Sequence, residues 1–366
     1  MIFGNQIGWI GVDLGTHTVK LAQAERTAEG VRLRRAAVIQ RPVPWPESDA
    51  LGSDEPDPSW PEIAAALECG DFHGHSAACL LPMNVCELRG LKVPQGDEQE
   101  RRAMIASELA DDDDERSAPV EFDYWELGGE KGIETSEGFN VNVLSIGRPW
   151  VDQVAEDCQQ ARLDCWAIDG APLAIARAVA LAARDRSHER VVAVDWGFSN
   201  TTLAVVGRGR PLYARRLHDC HFQRCLAAIE QALGVSRDHA QHLVDAHGVL
   251  LPRDSAVAAE DSGHRELQAA VTSAISEIAA TLTEQVERTL RFLELQRRQQ
   301  HPTSLVLLGG GASVRNIAPY LSALLEMPVS TWQAPMDRSI DEVLQGPRSA
   351  LFGPALALST LAWRAA

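Results

Sequence analysis

Two stretches of the chain repeat one hydrophobic pattern. Gly8 to Leu14 (GWIGVDL) is an apolar run that meets a tight Asp-x-Gly turn at Asp13-Leu14-Gly15, and a second run rich in Thr and Val follows it. Arg190 to Trp196 (RVVAVDW) does the same at Asp195-Trp196-Gly197. At an offset of 182 residues, Val12, Asp13, Gly15, Leu21 and Ala22 fall on Val194, Asp195, Gly197, Leu203 and Ala204. Each copy predicts a β-hairpin. Each then passes a glycine-containing turn, Glu29–Gly30 or Gly207–Gly209, into a third strand that ends in Arg-Arg. One Asp-x-Gly turn is commonplace, but two at one offset, each opening half of the chain, mark an internal duplication.

Other periodicities fill in the second half. Glu266 to Gln299 carries Leu267, Val271, Ile275, Ile278, Leu282, Val286, Leu290 and Leu293 at steps of three and four. That stripe predicts a long amphipathic helix, packed on its own sheet or forming a coiled-coil seam. Ser304 to Val329 reads as an apolar strand, Leu305 to Leu308, then Gly309-Gly310-Gly311-Ala312, then a helix that breaks near Met327–Pro328. Three glycines admit close approach of a flat ligand, and a helix N-terminus favours an anion. Gln99 to Ala110 predicts a helix that runs into the acidic loop Asp111 to Glu115. Gly52 to Pro58, flanked by Trp45 and Trp60, and Pro252 to Gly263 read as connections.

Composition narrows the classes. The 366 residues suggest two or more domain-sized units. A formal net charge of −17 argues against nucleic acid as a partner, because the field repels polyanions. It leaves room for a phosphate pocket of backbone amides. No apolar run approaches the ~18 residues of a membrane span; the best stretch, Ala171 to Ala183, is broken by Arg177. The N-terminus carries no basic lead or cleavage site, so a cytoplasmic protein is expected. Seven cysteines do not read as a disulfide framework. Cys79, Cys86, Cys158 and Cys165 read as small buried residues, and Trp9, Trp150, Trp166 and Trp196 as core. His218, Cys220, His221 and Cys225 are potential zinc ligands, but their spacing matches no standard pair pattern.

The paired hairpins carry the candidate chemistry. A turn of small residues after a strand aims several backbone N–H groups at one point, and Thr16, Thr18, Ser199 and Thr201 add hydroxyl donors for phosphate oxygens. Asp13 and Asp195 would hold Mg²⁺ or its waters. In the plainer reading these aspartates only satisfy turn amides in two β-meanders.

Taken together, Asp13-Leu14-Gly15-Thr16, Asp195-Trp196-Gly197 and Gly309-Gly310-Gly311-Ala312 resemble the first phosphate loop, second phosphate loop and adenosine loop of the actin-like nucleotide-binding superfamily. The order of blocks along the chain resembles the FtsA-like PilM family of type IV pilus assembly. Residues 76–127 look like its inserted subdomain, Asn140 onward like its strand–helix–strand–helix, and SALFGPALALSTLAWRA like its closing helix. The resemblance implies an α/β, actin-like (ribonuclease H-like) two-lobed fold. Its lobes would span 1–188 and 189–366, with an insertion near 72–150 and the adenosine-loop motif at 304–329. It also implies ATP and Mg²⁺ in the cleft, held by Asp13, Gly15, Thr16, Thr18, Asp195, Gly197, Ser199, Thr201, Gly309, Gly310, Gly311 and Ala312.

Departures from that pattern bear on activity. Where related ATPases place a Glu or Gln to orient attacking water, this chain has Ala171 before Pro172; Asp169 is the nearby carboxylate. Leu217 to His221 stands where a Gly-Gly pair is usual. Ala240-Gln241-His242-Leu243-Val244 replaces the Lys of Ala-Glu-x-x-Lys by Val244. The expectation is a pocket slow or inactive in hydrolysis. The resemblance implies a scaffold of a pilus or type II-like secretion platform, peripheral to the inner membrane. It would bind the cytoplasmic tail of a PilN-like membrane protein beside the insertion, together with other platform proteins and in a homo-oligomer if one forms. The alternatives are an actin-fold ATPase or sugar kinase, and an FtsA-like division filament. The kinase lacks its carboxylate base, and the filament lacks a membrane-targeting tail after Trp363-Arg364.

Overall fold

The expected hairpins form, and they organise two sheets of one topology. The computed structural model describes residues 6–45, 57–111, 119–126, 139–182, 189–251, 262–296, 301–335 and 346–363. In the first half, β1 (Gln6–Leu14), β2 (Thr18–Thr27) and β3 (Gly30–Gln40) pair antiparallel. β4 (Ser76–Leu80) and β8 (Asp164–Asp169) extend that sheet in parallel, giving the order β3-β2-β1-β4-β8. In the second half, β9 (Arg190–Trp196), β10 (Thr201–Gly207) and β11 (Arg210–Leu217) repeat the meander, and β12 (Ser304–Leu308) and β13 (Val329–Thr331) add in parallel. The order β11-β10-β9-β12-β13 mirrors the first strand for strand.

The connections hold the helices. α1 (Trp60–Cys69) precedes β4, and α3 (Arg148–Gln160) precedes β8. Between them, β5 (Cys86–Val93), β7 (Phe139–Gly147) and β6 (Val120–Glu126) form a separate three-stranded sheet beside α2 (Glu98–Asp111). That sheet has its own small core of Val93, Ile105, Leu109, Val141 and Val143. β4 falls inside the range expected for the insertion, yet it pairs between β1 and β8 in the first large sheet.

Two helices exchange sides. α4 (Ala171–Ala182) packs on β10 and β11 of the second sheet, while α9 (Gly353–Ser359) packs on β1, β2 and β4 of the first. They meet each other between the sheets. The close approach of α9 explains a glycine: a Cβ on Gly11 would lie 1.9 Å from the Ala355 carbonyl oxygen. The Ala24 amide donates to Ser359 Oγ at 2.8 Å, and Trp332 Nε1 donates to the Ala178 carbonyl at 2.7 Å. Both bonds tie a helix into buried surroundings, where an unmade bond would cost most.

The long helix, α7 (Ser262–Gln296), buries Val271, Ile275, Ala279, Leu282 and Val286. It packs chiefly on α5 (Phe222–Leu233), with further contacts to α6 (Arg237–Ala246) and α8 (Ile317–Leu325). Arg215 on β11 donates to its Gln285 carbonyl at 2.9 Å. The stripe therefore serves the chain's own core. Among the described residues no helix is long and apolar enough to cross a membrane. Residues 112–115 of the acidic run, 52–56 and 252–261 lie outside the described residues.

The four tryptophans expected in the core divide. Trp150 is buried and stacks on Trp45, with ring centroids 5.5 Å apart. Trp166, expected in the core, is 67% exposed. The pairing of β4 with β8 skips a residue there, running Ala77↔Cys165 then Ala78↔Ala167, so Trp166 is the extra residue of a β-bulge and turns outward. It stacks on the half-buried Trp9 at 6.2 Å. Trp196 is fully buried, as expected, and donates from Nε1 to the Cys220 carbonyl at 2.6 Å.

Candidate functional site

The turns of the two hairpins face each other across a cleft of about 710 Å³. This lies within the ~300–1,000 Å³ of small-molecule sites. Asp13, Gly15, Thr16, Thr18, Asp195, Gly197, Ser199, Gly309 and Gly310 all line it, although they come from three distant segments. The remaining three expected residues sit behind that wall. Thr201 is fully buried, and strand alternation presents Thr202 to the cleft instead. Gly311 and Ala312 lie beneath the loop; a Cβ on Gly311 would stand 2.3 Å from the Trp196 ring.

Each turn is held from its own side. Trp45 and Arg41 donate backbone N–H groups to the Thr16 and His17 carbonyls at 2.8 and 3.0 Å, and Arg41 Nε donates to the Gly15 carbonyl at 2.7 Å. The second turn is held by the start of α5, whose Phe222 and Gln223 amides donate to the Gly197 and Phe198 carbonyls. Gly15 and Gly197 occupy equivalent positions for one reason. A Cβ would meet the Thr18 carbonyl oxygen at 2.7 Å in the first turn and the Asn200 carbonyl oxygen at 2.5 Å in the second.

The turns also touch one another. Ser199 Oγ lies 3.1 Å from His17 Nδ1, Asn200 Nδ2 donates to Thr16 Oγ1 at 3.2 Å, and His17 packs against Phe198 with ring centroids 4.4 Å apart. Thr16 and Ser199, two of the residues named for phosphate binding, thus each contact the opposite turn.

The two aspartates differ in surroundings. Asp13 is ion-paired with Lys20 at 3.2 Å. Asp195 accepts no side-chain hydrogen bond among the described residues, and burial, then repulsion from Asp13, push its carboxyl up to about 7. Gly309, with φ +79°, lies over this carboxylate, and a Cβ there would fall 2.5 Å from Asp195 Oδ1. A short 3₁₀ turn, Gly310–Ser313, separates the glycines from α8. α8 begins only after Asn316, itself left-handed at φ 65°, so the expected helix N-terminus does not sit at the glycine loop.

Asp169 is committed elsewhere. Its carboxylate pairs with Arg177 and accepts from the Gly170 amide at 2.9 Å, and it does not line the cleft, whereas Ala171 does. Sequence reasoning missed Lys20, His17 and Asn200, although all stand beside the turns. It also missed Asp245, which accepts from Gln241 Nε2 at 3.0 Å and faces Arg348 at 3.6 Å on the cleft wall. Val244 is buried, so the position without a lysine faces the core. His218, Cys220, His221 and Cys225 do not converge: the three-ligand cluster among the described residues is Cys79, Cys158 and Cys165.

Duplicated meander sheets, exchanged helices and opposed turns define the actin-like class of two-lobed α/β proteins. No protein-family model matches the chain, and no curated protein matches its sequence. Among solved structures it is similar to the PilM-PilN type IV pilus biogenesis complex, at 20% identity and TM-score 0.73, covering 97% of this chain and 98% of that one. It is also similar to the ethanolamine utilization protein EutJ from Carboxydothermus hydrogenoformans, at 13% identity and TM-score 0.52, covering 98% and 92%. The fold is actin-like over nearly its whole length.

Proposed function

We propose that this chain is a PilM-like cytoplasmic scaffold of a type IV pilus or type II-like secretion platform. It holds the cytoplasmic tail of a PilN-like membrane protein, and its cleft takes a nucleotide that it turns over slowly or not at all. The observation that carries the partner is the fold likeness over 97% of the chain to a PilM-PilN complex. The lobes divide at residues 188 and 189. The insertion within the first lobe is the β5-β7-β6 sheet with α2, which narrows the expected 72–150 by leaving β4 in that lobe's main sheet. The tail docks beside it as an extended peptide.

The cleft residues fit a nucleotide with Mg²⁺. The Asp195 carboxylate has no hydrogen-bond partner among the described residues, and Gly309 leaves space that a side chain would fill. Asp195 would hold the hydrated ion, whose charge screens the phosphates. Lys20, Thr16, Thr18 and Ser199 line the cleft and would hold the phosphates, and Gly309 and Gly310, which line it too, would pack on the adenosine. Hydrolysis needs an acceptor to orient water. Ala171 supplies none, and Asp169 is held by Arg177. This supports a scaffold over the ATPase or sugar kinase.

The test combines two titrations of the full chain: a synthetic peptide of a PilN cytoplasmic tail, and ATP with Mg²⁺ while phosphate release is followed. Saturable peptide binding, with nucleotide binding lost in Asp195→Ala and no turnover, supports the reading. Rapid phosphate release reinstates the enzyme, and absence of peptide binding removes the partner.

A further inference from the structure

Three cysteines meet inside the first lobe, far apart in sequence. Cys79 stands on β4, Cys158 in the last turn of α3, and Cys165 at the start of β8. Their sulfur atoms all lie within 4.8 Å of one another, and Cys79 Sγ and Cys158 Sγ are 3.5 Å apart. Cys79 and Cys158 are fully buried, and Cys165 is half-buried. None of the three forms a disulfide.

The backbone is arranged to bring them together. β4 and β8 are parallel neighbours, and the bulge at Trp166 changes which β8 residues share a face. Cys165 pairs with Ala77 and Ile168 pairs with Cys79, so Cys165 and Cys79 both project to the face that α3 covers. Cys158 meets them from the helix, one turn beyond the buried Val154. The outward turn of Trp166 and the inward convergence of the thiols are thus one local event.

We propose that Cys79, Cys158 and Cys165 bind a single soft, thiophilic metal ion in a three-sulfur site, of the kind that copper(I) occupies. An ion about 2.3 Å from each of three sulfurs in one plane would set them roughly 4.0 Å apart. The present spacing brackets that value, so binding needs only small side-chain rotations. Soft thiolates select ions such as copper(I) and zinc. Structural zinc takes four ligands, and among the described residues no His, Asp or Glu joins these three. That leaves the ion content with low coordination.

Binding displaces the thiol protons into solution, which makes affinity rise with pH. Cys165 Sγ donates to the Ala167 carbonyl at 3.7 Å, a weak contact that a metal ion can replace. Cys165 is also the member nearest solvent, where an entering ion would arrive and the excess negative charge would be hydrated.

The test is anaerobic titration of the reduced full chain with copper(I) supplied as its acetonitrile complex. The readouts are thiolate-to-copper charge-transfer absorption and copper X-ray absorption. The expected result is saturation at one copper per chain with a sulfur-only shell. The signal is lost in Cys165→Ser and in Cys158→Ala, and kept in Cys69→Ser and Cys225→Ser. Cys165→Ser sits at the half-buried position, and circular dichroism verifies that it folds. Three results would overturn the site: no saturation at one copper per folded chain, a signal unchanged in folded Cys165→Ser, or a Cys79–Cys158 disulfide in air with no copper uptake. The last would reassign the cluster to thiol oxidation.

Discussion

His17 and Ser199 occupy the same position in the two copies of the repeat, and they touch, with Ser199 Oγ 3.1 Å from His17 Nδ1. The neighbouring Thr16–Asn200 bond at 3.2 Å and the His17–Phe198 packing add to the contact. Duplication of a hairpin thus yields a latch where the two copies meet, across the cleft between the lobes. A ligand that bridges both turns must reorganise it, and the lobes can respond as a hinge.

Each latch bond is worth about 1 kcal/mol. His17→Ala and Ser199→Ala are expected to leave the fold intact and to speed amide exchange at the two turns several-fold. Hydrogen exchange read by mass spectrometry checks this. Protection unchanged in both variants would mean that the turns are held only from their own sides, by Arg41, Trp45 and α5.

Asp195 gives a pH dependence with a definite sign. Its folded value of about 7 lies above its ordinary value of 3.8. The native state therefore keeps a proton that the unfolded chain has released between about pH 4 and pH 7. Stability falls as pH rises through that window, by up to about 1.4 kcal/mol per unit, and is level above it. Asp195→Asn removes this contribution, so its advantage over the parent should be largest at pH 8 and vanish near pH 4. Urea denaturation at a series of pH values measures it. Equal slopes for both proteins would show that Asp195 is ionised and solvated in the native state.

Gly11 and Gly310 separate architecture from site. Gly11→Ala forces a methyl group to within 1.9 Å of the Ala355 carbonyl oxygen, against backbone that cannot rotate away. A loss of about 1–3 kcal/mol or more is expected. At Gly310 the added Cβ meets only Phe222, at 3.5 Å, an ordinary contact. Gly310→Ala should therefore fold like the parent while it raises the cleft floor. Denaturation midpoints compare the two, and similar midpoints for both would contradict the close packing of α9 on β1.

Much of this architecture was written locally. The hairpin repeat, the long stripe of α7 and the strand before Gly309 follow from short-range periodicity and turn chemistry, and the paired sheets grow from them. The exchange of α4 and α9 is not legible that way, because each helix packs on the sheet of the other half and no local pattern records a distant partner. Trp166 was misplaced for a similar reason: alternation along β8 breaks at a bulge that appears only in its register with β4. In the site, the turn residues announced themselves by repetition. Thr201 did not obey because alternation from Asp195 turns it inward, and Lys20 was missed because its role depends on Asp13, its partner across the hairpin. The cysteine cluster needed three elements to be placed at once.

Ala171 opens α4 on the cleft wall, at the position where the resemblance to actin-fold ATPases implies an acceptor for attacking water. Two residues earlier, Asp169 is held by Arg177, and both side chains are only 10% exposed. Asp169→Asn should not alter nucleotide turnover, but it should cost about 3–5 kcal/mol of stability, because it strands a buried guanidinium. Ala171→Glu does the opposite: it places a carboxylate on the wall with space in front of it. If positioning of water is what this cleft lacks, the variant should release phosphate from ATP roughly 10²-fold faster than the parent. Single-turnover phosphate release, with Ala171→Gln beside it to test orientation without a base, reads the effect. A folded Ala171→Glu that binds nucleotide yet gains no turnover would show that the missing acceptor at Ala171 is not what limits hydrolysis.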